Sequence, residues 1–231
     1  MTKGTLQKDG THCYSGPTCK LHGAHNQELI LRKKISGLFS KSTSMDVDTN
    51  IASQRKNSYR EAYNKAFKGM RDFKNLSDQE KKEYTIVSSY VDNGFTGINL
   101  RLRKNAVTDQ IAAQTKYLDS FIERQAVNTD GVLYRGSSYF PEVDTMDKGD
   151  TFSDKAYTST TSNVNTAMGF TGNSYAGESV LFRISTEKAT PVNDVENEFL
   201  LPRNKEFIVS SVRKSVTIQG RTVTLIDLEE K

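Results

Sequence analysis

Glu196-Asn197-Glu198-Phe199-Leu200-Leu201-Pro202-Arg203-Asn204-Lys205-Glu206-Phe207-Ile208-Val209 holds two short apolar runs, each headed by acidic residues. EFLL and EFIVSSV read as β-strands, and the first is entered through a Glu-x-Glu pair, Glu196 and Glu198. On a strand, residues i and i+2 face the same side at about 6.5–7 Å. The two carboxylates would then share one face, an unfavourable arrangement unless a cation or a substrate uses it. Such a pair can stabilise an oxocarbenium ion while its second member orients a nucleophile. Taken alone, it also fits two solvated glutamates on a strand edge.

Outward from this stretch the chain changes character once. VLYR, AYTSTT, SVLFRI and TVTLIDL are β-branched and aromatic segments separated by turn residues, and all follow Asp130-Gly131. Before that point the periodicity is helical. Tyr59, Ala62, Tyr63, Ala66, Phe67, Met70 and Phe73 recur at i, i+3, i+4 spacing and predict a helix from about Ser58. Ser77 and Glu80 form an S-x-x-E capping box ahead of a second helix bearing Tyr84, Val87 and Val91. A third helix is predicted from about Thr108, with Ile111, Tyr117, Leu118, Phe121 and Ile122 on its apolar face. Helices followed by strands predict an α+β fold. The Ser-, Thr- and Asp-rich residues 36–53 read as a linker, dividing the chain into an N-terminal extension, 1–49, and a domain, 50–231.

The whole chain of 231 residues carries a net charge of +4, but unevenly. Residues 1–130 hold 21 Lys/Arg against 14 Asp/Glu, and residues 131–231 hold 11 against 14. The basic excess therefore belongs to the first half, with the run Arg32-Lys33-Lys34 and the scattered Lys/Arg of the first helices, where it reads either as solvated helix faces or as a surface for docking nucleic acid or a nucleic-acid-associated partner. Mean hydropathy is −0.62, and no apolar run approaches the 18 residues of a membrane span. The first residues lack the apolar stretch of a secretory signal, and two cysteines make no disulfide framework.

Two further motifs precede the glutamates. Arg135-Gly136 ends the strand VLYRG, where an arginine can hold a phosphate and a glycine lets a ligand approach bare backbone. Ser159-Thr160-Thr161 places small hydroxyls on an extended segment, able to line a pocket floor. Each has a plain structural reading too. In the order Arg, Ser-Thr-Thr, Glu-x-Glu, the sequence resembles the mono-ADP-ribosyltransferases of the Arg / Ser-Thr-Ser / Glu-x-Glu class. These include binary-toxin enzymes and the bacteriophage Alt and Mod group. Tyr84-Thr85 with Ile98-Asn99-Leu100-Arg101-Leu102-Arg103, and the E-x-E-x-L-L-P-R ending, extend the resemblance over about residues 55–228. Thr161 departs from the family's serine but keeps the hydroxyl.

The resemblance implies a split β-core of two packed antiparallel sheets with an N-terminal helical part, and NAD as co-substrate. Arg135 would anchor the NAD phosphates and the Gly136 backbone would meet the nicotinamide carboxamide. Ser159 would brace the catalytic glutamate, with Thr160 and Thr161 shaping the pocket. Glu198 would bind the ribose 2′-hydroxyl and stabilise the oxocarbenium ion. Glu196 would orient the acceptor, an arginine of a target protein. The loop Ala189–Val195 would contact that target, and 163–177 would lie over NAD, with Phe170 or Tyr175 stacking on nicotinamide. A monomeric enzyme without membrane contact is expected, in the host bacterial cytoplasm if phage-encoded. A NAD glycohydrolase using water, and a non-enzymatic basic binding protein, remain the alternatives.

All Cys and His residues, His12, Cys13, Cys19, His22 and His25, fall within the first 25 positions. Cys13, Cys19, His22 and His25 could hold a structural zinc, or the segment is a polar tail. With no histidine elsewhere, a Ser-His or Cys-His hydrolase is disfavoured.

Overall fold

The computed structural model describes residues 59–129, 131–138, 141–172 and 178–231, with two short strands, Thr5–Leu6 (β1) and His12–Cys13 (β2). β1 and β2 pair antiparallel, with Thr5 opposite Cys13. Of the four residues that could hold a zinc, Cys19, His22 and His25 lie outside the described residues. No helix among those described is long and apolar enough to cross a membrane.

The helical part follows its caps closely. The first helix, α1, spans residues 59–66 and then tightens into a 3-10 segment, Lys68–Asn75, rather than running on to Phe73. Gly69 weakens the helix there, and Asp72 leaves helical dihedrals (φ −123°, ψ 43°). Phe73 consequently stands 41% exposed instead of in the core. Helix α2, Asp78–Ser89, starts at Ser77 with both halves of the capping box formed. A π-turn, Tyr90–Gly94, leads into α3, Phe95–Arg103, and Thr108 caps α4, Asp109–Gln125. Ile111, Leu118, Phe121 and Ile122 are buried, as their spacing predicts. Phe121 meets Tyr84 edge-on at 5.4 Å, and the Tyr84 hydroxyl donates to the Ala66 carbonyl at 2.8 Å.

Between α2 and α4 sits a buried acid. Glu83 is fully shielded from solvent and accepts from Ser120, from Gln79 and from the Arg124 guanidinium in a close contact. Burial alone pushes its pKa up, but the donors from Ser120, Arg124 and Gln79 together outweigh burial and hold the carboxyl below its ordinary 4.5. A group whose pKa is lowered by folding contributes stability above its unfolded value and loses it as pH falls through the folded one. Glu83→Gln is therefore expected to melt well below the parent at pH 7. That gap should shrink as the pH falls from the ordinary 4.5 through the lowered folded value, beneath which both chains carry a neutral side chain there. Melting temperatures across pH 3–7 test this.

The strands are β3 Val127–Asn128, β4 Val132–Ser137, β5 Thr151–Ser153, β6 Thr158–Thr161, β7 Ser179–Ser185, β8 Lys188–Asn193, β9 Glu198–Leu201, β10 Glu206–Ile218 and β11 Arg221–Glu230. They lie in the order β3-β8-β9-β6-β4-β7-β11-β10-β5. β6 and β4 are joined by one register pair only, Tyr134↔Thr161. The core is thus split into a group β3-β8-β9-β6 and a group β4-β7-β11-β10-β5. One pair differs from the antiparallel expectation: β7 and β11 run parallel over Val223↔Ser179 to Glu229↔Ser185. The chain leaves β7, builds β8 and β9 in the other group, and returns through the β10–β11 hairpin. That return brings β11 alongside β7 in the same direction.

The helical part is fastened to the β-core by side chains from the motif segments. The Asn99 amide donates to Tyr90 Oη at 2.9 Å and to the Tyr157 carbonyl at 3.5 Å, one residue before β6. Arg203 makes a forked pair with Asp119 on α4, whose Oδ1 also accepts from the Tyr157 hydroxyl. Arg103 forks onto Asp154 in the same manner. Planar two-point pairs of this kind fix orientation as well as distance.

Candidate active site

The narrow junction of the two strand groups is where the motifs converge. Arg135 and Gly136 come from β4, Ser159, Thr160 and Thr161 from β6, and Glu198 from the first position of β9. β6 and β9 pair with Thr161 opposite Glu198 and Thr160 opposite Phe199. Side chains then link the motifs in series. Arg135 Nη1 donates to the Ser159 carbonyl at 3.0 Å, and Ser159 Oγ donates in a close contact to Glu198 Oε1. Ser159 is thus the bridge between the guanidinium and the carboxylate.

The threonines secure the floor. Thr160 Oγ1 donates to the Phe199 carbonyl at 2.9 Å, and Thr161 Oγ1 to the Glu196 carbonyl at 2.7 Å. Thr161 Oγ1 also accepts the Asn163 N–H, joining the floor to the turn that caps helix α5, Val164–Gly169. A hydroxyl is what this position uses, so threonine serves where the family has serine.

Glu196 and Glu198 do not form the strand pair expected from their spacing. β9 begins at Glu198, while Glu196 lies in the turn between β8 and β9. Asn197 between them is left-handed (φ 48°), a conformation asparagine tolerates better than most residues, and it breaks the alternation of an extended chain. Both carboxylates nevertheless line one recess. Its walls are Tyr134, Arg135, Gly136, Ser159, Thr160, Thr161, Thr166, Phe170, Glu196 and Glu198. Every site residue expected from the sequence within the described domain is there.

Gly136 has a packing role that the sequence did not disclose. A Cβ at this position would stand 1.9 Å from the Ala167 carbonyl oxygen and 3.2 Å from Phe170 Cβ. Only glycine lets α5 lie this close to β4. Arg221 on β11 supports the far end of the same helix, donating from Nη1 to the Met168 carbonyl at 3.1 Å, a cation at a helix C-terminus. Tyr134, Thr166 and Arg221 were not singled out from the sequence. Tyr134 and Arg221 gave no signal beyond strand periodicity, and Thr166 none beyond its place between two motifs.

The outer surface is smaller than expected. Ala189–Asn193 belong to β8, and Ala189, Thr190, Pro191 and Val192 are buried. That leaves Asp194 and Val195 at the tip, with Val195 78% exposed. Of the aromatic residues expected over NAD, Phe170 lines the recess, whereas Tyr175 lies outside the described residues.

An arginine, a hydroxyl bridge and two glutamates thus meet at the junction of the split β-core. Comparison with known proteins names the class. The profile of the ADP-ribosyltransferase exoenzyme family matches residues 56–230, and the chain belongs to that family. A search of curated protein sequences finds no match. Among solved structures, the ADP-ribosyltransferase Vis of Vibrio splendidus, in complex with agmatine, is similar with a TM-score of 0.58 at 19% identity, over 83% of this chain and 88% of that one. The C3 exoenzyme of Clostridium limosum gives 0.55 at 17% identity, over 83% and 98%. Exoenzyme S of Pseudomonas aeruginosa, in complex with human 14-3-3 protein beta and carba-NAD, gives 0.55 at 17% identity, over 79% and 88%. The chain is an ADP-ribosyltransferase with NAD as its co-substrate.

Proposed function

We propose that the chain transfers ADP-ribose from NAD to an arginine side chain of a target protein and releases nicotinamide. The observation that carries the acceptor is the second carboxylate. Glu196 lines the same recess as Glu198, and its backbone is held by Thr161. A guanidinium is cationic and planar, so a carboxylate lining the recess attracts it and can accept the proton its nitrogen sheds on bonding to carbon. In support, Vis is similar in fold and was solved with agmatine, a guanidine compound.

The donor set suits the co-substrate. The positive charge of Arg135 faces the diphosphate, the small hydroxyls of β6 leave room for the nicotinamide ribose, and Phe170 offers a ring to stack on nicotinamide. In the reaction the bond between ribose C1′ and the pyridinium nitrogen breaks, and its electron pair leaves with neutral nicotinamide. The positive charge that develops on C1′ and the ring oxygen is stabilised by Glu198, whose carboxylate Ser159 holds in place. An arginine Nη then bonds to C1′ and gives up a proton, with Glu196 as its acceptor.

Asp194 and Val195 are the surface offered to the target, and the basic first half of the chain suits a target associated with nucleic acid. The proposed setting is the cytoplasm of a bacterial host, on the resemblance to phage enzymes. Glu196→Gln is expected to consume NAD within about threefold of the parent rate while transfer to agmatine falls at least about a hundredfold. Parallel assays of nicotinamide release and labelled adduct separate the two. Undiminished transfer would remove Glu196 from the acceptor role.

A further inference from the structure

A buried tyrosine from the helical part reaches the base of the turn that holds Glu196 and leads into Glu198. Tyr59 on α1 is 2% exposed, and its ring packs edge-on against Phe199, with centroids 4.8 Å apart. Its hydroxyl lies 2.6 Å from the Asn193 carbonyl oxygen and 2.8 Å from the Glu198 carbonyl oxygen, and accepts the Asn193 N–H at 3.2 Å. Asn193 and Glu198 are register partners and close the turn formed by residues 194–197. One phenol oxygen therefore contacts the last residue before the turn and the first after it.

This contact supplies what the strand ladder lacks. The β8–β9 register shifts between Pro191 and Asn193, just ahead of the turn, and a shift of this kind interrupts the regular hydrogen bonds. Beyond it the left-handed Asn197 gives the chain a second break. Thr161 and Ser159 hold the two glutamates from β6, and a turn with irregular backbone at both ends needs a further anchor at its base, on the side of the helical part. Burial pushes the Tyr59 hydroxyl well above the ordinary phenol value, so it remains a protonated donor at any pH the enzyme works in.

We propose that Tyr59 is a positioning residue for the reaction, its hydroxyl clamping Asn193 to Glu198 so that Glu196 and Glu198 meet the two partners of transfer at fixed places. It touches no reacting atom. The inference rests on the roles assigned above to the two glutamates. It also differs from them in kind, because it predicts a backbone contact that can be read without any catalysis.

The test is Tyr59→Phe in the full chain, which keeps the ring against Phe199 and removes only the oxygen. Loss of one buried hydrogen-bonding group at this distance from the chemistry is expected to lower kcat for transfer to agmatine about tenfold. KM for NAD should stay within about twofold, because Arg135 and the β6 floor are untouched. Hydrogen exchange followed by NMR should show the Asn193 amide exchanging at least about tenfold faster, with Leu118 and Phe121 in the helical core unchanged. Transfer within twofold of the parent, or unaltered protection at Asn193, would overturn the proposal. So would a general loss of protection accompanied by joint changes in kcat and KM, which would make Tyr59 a packing residue only. Should the parent chain hydrolyse NAD without modifying agmatine, the arginine acceptor fails. The rate of nicotinamide release and the Asn193 amide then decide the clamp in its place.

Discussion

Glu198→Gln is expected to lower both nicotinamide release and ADP-ribose transfer by about a thousandfold. Glutamine keeps the length of the side chain and can still accept the Ser159 hydroxyl, so the contact that holds position 198 survives. What is removed is the negative charge facing the ribose as nicotinamide departs. Because that interaction strengthens only as positive charge develops, kcat and kcat/KM should fall together while NAD affinity changes little. The melting temperature should remain close to that of the parent, since Glu198 stands at the edge of β9 and its partner is retained. Steady-state assays of nicotinamide release with a thermal melt on the same sample check both halves. A fall confined to transfer, with release intact, would move the catalytic charge from Glu198 to another group.

Gly136→Ala should be the most damaging small substitution in the recess. Its new methyl group would stand 1.9 Å from a backbone oxygen, which cannot rotate away as a side chain could, so β4 and α5 must separate. Overpacking of a formed core costs about 1–3 kcal/mol and more where backbone has to move. About 3 kcal/mol corresponds to a melting temperature lower by roughly 6–12 °C in a domain of this size. Phe170 moves with the end of α5, so NAD-dependent activity should fall at least about tenfold beyond what the lost stability explains. Gly97→Ala is the matched control. Gly97 lies in α3 with nothing within 4 Å of an added Cβ, and alanine there should stabilise by about 0.4–1 kcal/mol. An unchanged melting temperature for Gly136→Ala would mean that α5 does not rest on β4 as described.

The parts of this enzyme that were legible in the sequence are those governed by local chemistry. Ser77 and Glu80 announce their helix because a cap satisfies donors three residues away. The Arg, Ser-Thr-Thr and Glu-x-Glu motifs carry the recess because each residue type has few other uses in that order. What the sequence hides is set by contacts distant along the chain. The spacing of Glu196 and Glu198 suggests a shared strand face, yet Asn197 turns the backbone between them. Phe73 keeps the helical period but is left outside once Asp72 departs from helical geometry. Periodicity marks Tyr59 as a core residue, correctly, without indicating that its hydroxyl meets a turn nearly the length of the domain away. The parallel pairing of β7 and β11 likewise depends on how the β10–β11 hairpin returns, which no single strand encodes.

Transfer at this recess is tested most directly by incubating the parent chain and Glu198→Gln with NAD and agmatine. Mass spectrometry would follow the agmatine adduct and nicotinamide together. The parent is predicted to form ADP-ribosyl-agmatine with nicotinamide released in step, and Glu198→Gln to form almost none. Equal adduct from both chains, or NAD left intact by the parent, would contradict it.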